Sequence, residues 1–213
     1  MKGKSTSNYD LQVDIGKKIF LEYDQEQLIR KFSLDADLQW IYLRYLNRPC
    51  RIHRTNGRIE EYVENRWQEC REYSTVMTIY DLLCHNKSET VPVLSGLWCA
   101  VGTFIITGIT KTEKFTGKYA KQFSRKMDTL QKACEKLSGK LQPRMAGADL
   151  TCLFAVTDFF PVLLQFWSGD EEFPPKLTLL WDRNTMQFMH FETTFYLQGD
   201  LLERLKDSME AEI

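Results

Sequence analysis

Three β-rich runs follow one another in the last third of the chain: Leu150 to Val156, Val162 to Trp167 and Leu177 to Trp181. They constrain the fold more than any other feature. Asp158, the Gly169-to-Pro175 segment and Asp182-Arg183-Asn184 break them. Helical patterns and a hairpin come before. That order predicts an α+β fold, mainly antiparallel in its sheet, with helices packed on it. The length of 213 residues suits a single domain. Residues 10–209 are expected to form it, behind a flexible N-terminus at 1–9.

The earlier patterns are mostly helical. Asn8 to Glu22 is amphipathic through Leu11, Ile15, Ile19 and Phe20, with Gly16 interrupting it. Asp24-Gln25-Glu26-Gln27 reads as a capping box opening a short helix through Phe32. Leu38 to Leu46 reads as a strand with both faces apolar, ended by Asn47-Arg48-Pro49. Cys50 to Arg54 and Arg58 to Glu60 flank Asn56-Gly57, which predicts a hairpin with a type I′ turn. Arg66 to Cys84 shows helical spacing in Trp67, Cys70, Ser74, Met77 and Tyr80. Thr90 to Ile109 reads as loop and strand. Phe115, Tyr119, Phe123, Met127, Leu130, Cys134 and Leu137 recur at three- and four-residue steps, which predicts one helix stopped by Gly139. Thr193 is the expected N-cap of a last helix through Met209, with Leu201, Leu202 and Leu205 inward.

Composition narrows the function. Hydrophobic residues make up 43% and charged residues 27%, as in ordinary globular proteins. The net charge of −1 gives no electrostatic case for nucleic acid or an anionic membrane as partner. No apolar run reaches the ~18 residues that a spanning helix needs. The first residues lack the apolar region of a secretory signal, so a cytoplasmic location is expected. Six cysteines occur without a C-x-x-C pair, and they read as reduced, mostly buried thiols. A metal site assembled from distant cysteines and His53, His85 or His190 is the sharper alternative. His53 reads as exposed in the hairpin, His85 as a helix end where a cation suits the dipole, and His190 as a core residue. No phosphate-binding glycine loop, hydrolase elbow or metalloprotease pattern is present.

The residues singled out for binding are Trp98, Trp167, Asp170, Glu171 and Glu172. Trp167 leads into Ser168-Gly169-Asp170-Glu171-Glu172-Phe173-Pro174-Pro175, which holds three consecutive carboxylates. On the functional reading, these carboxylates hold a cation or a polar ligand beside the indole. On the structural reading, Gly169-Asp170 forms a turn, one carboxylate accepts backbone N–H bonds, and the prolines stiffen the return. Neighbouring carboxylates on an extended chain point apart, so all three do not reach one ion. Trp98, in Leu94-Ser95-Gly96-Leu97-Trp98, either stacks on a planar ligand or fills a core gap. The segment from Lys111 to Lys140 carries a basic face with Lys118, Lys121, Arg125, Lys126 and Lys132. That face is either solvated or docks an acidic partner.

The acidic turn resembles the signature of a domain-of-unknown-function family of anaerobic bacteria and archaea. Its members carry a tryptophan followed by P-G-D-E-E-F-P-P and an apolar strand ending in Phe-Asp. Here serine (Ser168) replaces the proline, and Trp181 precedes Asp182 in place of phenylalanine. Leu94-Ser95-Gly96-Leu97-Trp98 is similar to the family's L-T-G-E-W, with Leu97 where the family has glutamate. Leu137-Ser138-Gly139 resembles its Leu-Gly-Gly element. The resemblance spans roughly residues 10 to 208. Some members are fused to ferredoxin-type iron–sulfur domains and accompany anaerobic redox and corrinoid metabolism. It implies a fold and a habitat, and no activity or cofactor.

Three functions follow as expectations. The first is a non-catalytic accessory module that holds a small polar ligand or a partner's segment in a pocket beside Trp98 and Trp167, rimmed by Asp170 to Glu172. The second is an enzyme using Glu171 or Glu172 as general acid/base. The third is a redox-partner docking protein using the Lys-rich helix 115–137.

Overall fold

The computed structural model describes residues 8–105 and 112–211. Among these residues, two five-stranded antiparallel sheets share one hydrophobic core with six α-helices, which is the α+β class expected. Helix α1 (Asn8–Glu22) and helix α2 (Gln25–Phe32) come first. The expected flexible segment 1–9 lies outside the described residues except for Asn8 and Tyr9, which begin α1. Asp24 caps α2 as predicted, its carboxylate accepting the Gln27 N–H.

The first sheet is a meander of β1 (Asp35–Ala36), β2 (Trp40–Tyr45), β3 (Arg48–His53), β4 (Ile59–Val63) and β5 (Arg66–Glu69), in that spatial order. Two of its hairpins turn where the sequence carries no Asn-Gly. Leu46 and Asn47 have φ of 45° and 63°, and Glu64 and Asn65 have 52° and 61°. Paired positive φ values are the mark of a type I′ turn. Asn56-Gly57 instead lies in a longer connection in which Gly57 alone takes positive φ, at 71°. The Glu64-Asn65 turn also corrects the helix expected over Arg66–Cys84. Its first part is β5, and helix α3 runs only from Tyr73 to Cys84. Trp67 therefore faces the sheet: the Arg51 guanidinium lies 4.4 Å from its ring and 3.8 Å from that of Trp40.

The second sheet has the order β6-β10-β9-β8-β7. Its strands are β6 (Trp98–Ala100), β7 (Gly139–Leu141), β8 (Leu150–Thr157), β9 (Phe160–Trp167) and β10 (Lys176–Asp182). The three C-terminal runs thus pair as consecutive antiparallel neighbours. The parts of the Thr90–Ile109 and Lys111–Lys140 readings that fall on 106–111 lie outside the described residues. The stripe from Phe115 to Leu137 is not one helix. It breaks at Arg125, whose φ is +61°, into α4 (Thr112–Phe123) and α5 (Met127–Lys136). Tyr119, Phe123, Leu130 and Cys134 are all buried nonetheless, so the bend serves the core and splits the basic face. Gly139 does not supply the stop; Ser138 does, with φ 65°. Gly139 opens β7, where an added Cβ would lie 2.5 Å from Cys152 Sγ and 2.6 Å from the Cys134 carbonyl oxygen.

Helix α6 (Phe191–Glu210) packs on α3 and α5. Leu201, Leu202 and Leu205 are fully buried, as predicted. Its N-cap is His190 and not Thr193, which sits in the first turn. A buried polar node ties α6 to the first sheet: Arg204 pairs with Asp200 at 2.6 Å, approaches Glu61 of β4 at 3.8 Å and covers the Tyr45 ring. The Leu46 N–H donates to the Val156 carbonyl at 2.8 Å, linking the sheets directly. No described helix is long and apolar enough to cross a membrane.

Candidate functional site

The acidic turn is first of all a turn. Gly169 has φ +73°, and an added Cβ would lie 2.6 Å from Pro175 N. The Asp170 N–H donates to the Phe173 carbonyl, and Asp170 Oδ1 accepts the N–H groups of Glu172 and Phe173 at 2.9 and 2.8 Å. One carboxylate is therefore consumed in shaping the bend. Just before it, the Ser168 N–H and Oγ–H both donate to Asp149 Oδ2, and these bonds hold the Asp149 carboxyl below the usual range. An open cleft of about 880 Å³ lies beside the turn, walled by Trp167, Pro174, Pro175 and Gly117 of α4. Asp170 lines the cleft, Glu171 and Glu172 do not, and all three are exposed. Lys176 Nζ stands 5.1 Å from the centre of the Trp167 ring.

Trp98 lies elsewhere. Trp167 pairs with Lys176 at the start of β10, whereas Trp98 pairs with Asp182 at its end. Six residues of extended chain separate those positions by about 20 Å. A single pocket flanked by both indoles does not form. At the Trp98 end, the buried carboxylate of Asp182 organises the Ser95-Gly96 loop. Its Oδ1 accepts the Ser95 N–H and Oγ–H at 3.0 Å each and the Asn184 N–H at 2.8 Å; its Oδ2 accepts the Gly96 N–H at 2.8 Å. Burial pushes this carboxyl up, but the hydrogen bonds together outweigh it and leave the group below its ordinary value.

A third place draws together residues that sequence spacing kept apart. Asp81 and His85 are four apart on α3, and His190 caps α6. Asp81 Oδ2 accepts the His190 backbone N–H at 2.7 Å and the Thr193 hydroxyl at 2.5 Å. Its Oδ1 lies 2.6 Å from His190 Nδ1, which in turn lies 3.2 Å from His85 Nδ1. His85 Nε2 meets the Met186 carbonyl oxygen at 3.0 Å. His190 is 65% exposed in its side chain, which corrects the expectation of a core histidine. His53 is half-buried, its ring edge-on to Trp40.

These groups form the polar end of a pocket of about 250 Å³ between α1, α3 and α6. Its walls are apolar: Ile15 and Ile19 of α1, Met77 and Tyr80 of α3. Gly16 lets α1 come close, because the Tyr80 ring lies 2.7 Å from where a Cβ would stand. Cys84 also borders the pocket, but burial foremost, with the Asp81 charge behind it, pushes its thiol up to about 12. It is no nucleophile at neutral pH. The Asp81-to-His85 step was readable as one helix face; His190, 105 residues beyond His85, carried no sequence signal.

Residues 24–204 match the model of a family described as a domain of unknown function, DUF3786. The chain belongs to that family. Comparison with curated proteins gave no match, and comparison with solved structures gave none either. The DUF3786 span contains Asp81, His85, His190, the acidic turn and the Asp182 cradle, whereas α1, one wall of the pocket, precedes it.

Proposed function

We propose that this DUF3786 protein is a non-catalytic binding module whose ligand sits in the pocket between α1, α3 and α6. The observation that carries this reading is the convergence of Asp81, His85 and His190 on one end of an otherwise apolar cavity. Apolar walls supply binding energy and a few fixed polar groups set orientation, the usual division in small-molecule sites. The ligand is a small molecule with one polar head and an apolar body. The neighbouring hydroxyls are committed: Thr193 donates to Asp81, and Tyr80 donates to the Gly57 carbonyl. With Cys84 held as a thiol, the pocket offers no thiolate nucleophile. The six free cysteines favour a reducing cytoplasm as its setting, and an anaerobic host rests on the family resemblance alone.

Ligand-observed NMR with a fragment library tests this. Fragments of the stated class are expected to bind the wild type and to lose their signal in Met77→Trp, which fills the cavity, while circular dichroism stays native. Binding that ignores Met77→Trp sinks the reading.

The Trp167 cleft supports a second reading, a docking site for a basic, extended partner segment. Phe173 is 66% exposed beside Pro174 and Pro175, and Asp170, Glu171 and Glu172 supply the charge. Trp98 takes no part in that cleft. General acid/base work by Glu171 or Glu172 has less support, because the cleft lining passes from Asp170 to Phe173 and includes neither glutamate. Asp170→Asn with Glu172→Gln is expected to abolish capture of a Lys/Arg- and Pro-containing peptide; unchanged capture overturns this second reading.

A further inference from the structure

We propose that Asp81, His85 and His190 bind one divalent transition-metal ion, zinc being the best fit, with a coordination position left facing the pocket between α1, α3 and α6. This rests on the pocket reading above and names the polar anchor of that site.

Three atoms define the site. Asp81 Oδ1, His190 Nδ1 and His85 Nδ1 form a triangle with edges of 2.6, 3.2 and 3.9 Å. A tetrahedral zinc ion with ligands at about 2.0–2.1 Å has ligand–ligand edges of about 3.3 Å. The mean edge already matches. To even out the rest, the Asp81–His190 edge opens by about 0.7 Å and the Asp81–His85 edge closes by about 0.6 Å, each change shared between two side chains.

The supporting contacts are those of a metal centre. A carbonyl oxygen can only accept, so the contact with Met186 puts the His85 proton on Nε2. Its Nδ1 therefore turns a lone pair into the cluster. Metal-ligating histidines characteristically donate their second ring N–H to a carbonyl or carboxylate in this way. Asp81 is held likewise: Oδ2 is occupied by the His190 N–H and the Thr193 hydroxyl, which leaves Oδ1 to point inward. An ionised Asp81 Oδ1 can only accept, so His190 Nδ1 donates to it in the metal-free protein; metal binding puts the single ring proton on Nε2 instead and frees the Nδ1 lone pair for the ion.

The plain structural alternative is that the cluster only fastens α3 to α6. That task is met by Asp81 Oδ2 alone. It does not call for two imidazole nitrogens facing each other at 3.2 Å, one of them on a largely exposed ring. Two imidazoles and one carboxylate suit first-row divalent ions and not magnesium or calcium, which take oxygen sets. Three protein ligands leave one position open, and the cavity adjoins it.

The test uses the full chain without any histidine tag. Zinc binding is followed by calorimetry and cobalt(II) binding by its visible absorption. The wild type is expected to take up one ion per chain and to show the intense bands of tetrahedral cobalt(II). His85→Ala and His190→Ala are each expected to weaken binding by about a hundredfold or more and to erase those bands, with melting temperatures close to wild type. Cys99→Ser, the one half-exposed cysteine, is expected to leave both unchanged. A wild type that binds neither ion, or a double histidine variant that binds as well as the wild type, overturns the proposal. If metal binding fails while Met77→Trp still abolishes fragment binding, the metal anchor falls and the pocket reading stands.

Discussion

His190 Nδ1 lies 2.6 Å from Asp81 Oδ1, although the two residues are 109 positions apart in the chain. That contact closes α6 onto α3. His190 makes no side-chain cap of its own, so the Asp81 carboxylate does the capping from another helix, through the His190 N–H and the Thr193 hydroxyl in the first turn of α6. Structure and candidate chemistry thus share one residue, and variants at its two ends separate them.

Asp81→Ala removes three hydrogen-bond acceptances at a largely buried junction and is expected to cost about 2–3 kcal/mol. In a chain of this size that corresponds to a melting temperature lower by roughly 5–10 °C. His190→Ala keeps the backbone bond and removes an exposed ring, so its cost is expected below about 1 kcal/mol. Thermal denaturation by circular dichroism compares the two; equal losses would show that the His190 ring, too, is structural.

The Asp182 cradle gives a pH prediction. The folded carboxyl lies below its ordinary value, which is about 3.9 when unfolded. Its stabilisation is therefore complete above that unfolded value and is lost as pH falls through the lower, folded one. Glu203, held at about 2 by hydrogen bonds from Lys206 and Tyr119, acts in the same direction. Melting temperature is expected to fall below about pH 4. Asp182→Asn is expected to lower it at pH 7, by about 3 kcal/mol equivalent, and to flatten the acid slope. A variant slope identical to wild type counts against this role.

Arg204 lies at the buried junction of the first sheet, α3 and α6, its side chain 10% exposed. Arg204→Ala strands Asp200 without its cation, leaves Glu61 to Arg48 alone, and is expected to cost about 3–5 kcal/mol. Arg204→Met with Asp200→Leu removes the Arg204–Asp200 pair together and is expected to cost less than the single change. Urea denaturation at pH 7 provides both values, and a double variant less stable than the single one would refute the pairing argument.

Gly139→Ala pushes a methyl group against Cys152 Sγ and the Cys134 carbonyl oxygen, and about 1–3 kcal/mol of destabilisation is expected. Adding Cys152→Ala relieves the sulfur contact only, so a partial recovery of the urea midpoint is the expected outcome. Full recovery would locate the whole strain at the sulfur.

Short-range pattern was legible wherever a single element decides its own burial. The β-rich composition of Leu150–Val156 and Val162–Trp167 marked β8 and β9, and Asp24 with Gln27 marked the start of α2. The stripe through Tyr119 and Leu130 named the buried residues correctly and missed the bend between them. Periodicity records which side chains face inward; it does not record a single left-handed residue such as Arg125. Trp67 to Tyr80 failed for a related reason. Helical spacing in Arg66–Glu69 was overridden by pairing with β4, a contact made possible by the Glu64-Asn65 turn.

The sequence by itself determined the α+β class, the main buried faces and the acidic turn, because each depends on neighbours within a few residues. Tertiary structure alone decided that Trp98 and Trp167 part company along β10, and that Asp81, His85 and His190 meet. Those distances are set by how α3 and α6 pack across the shared core. Packing sums contacts over the whole chain, so no local spacing encodes it.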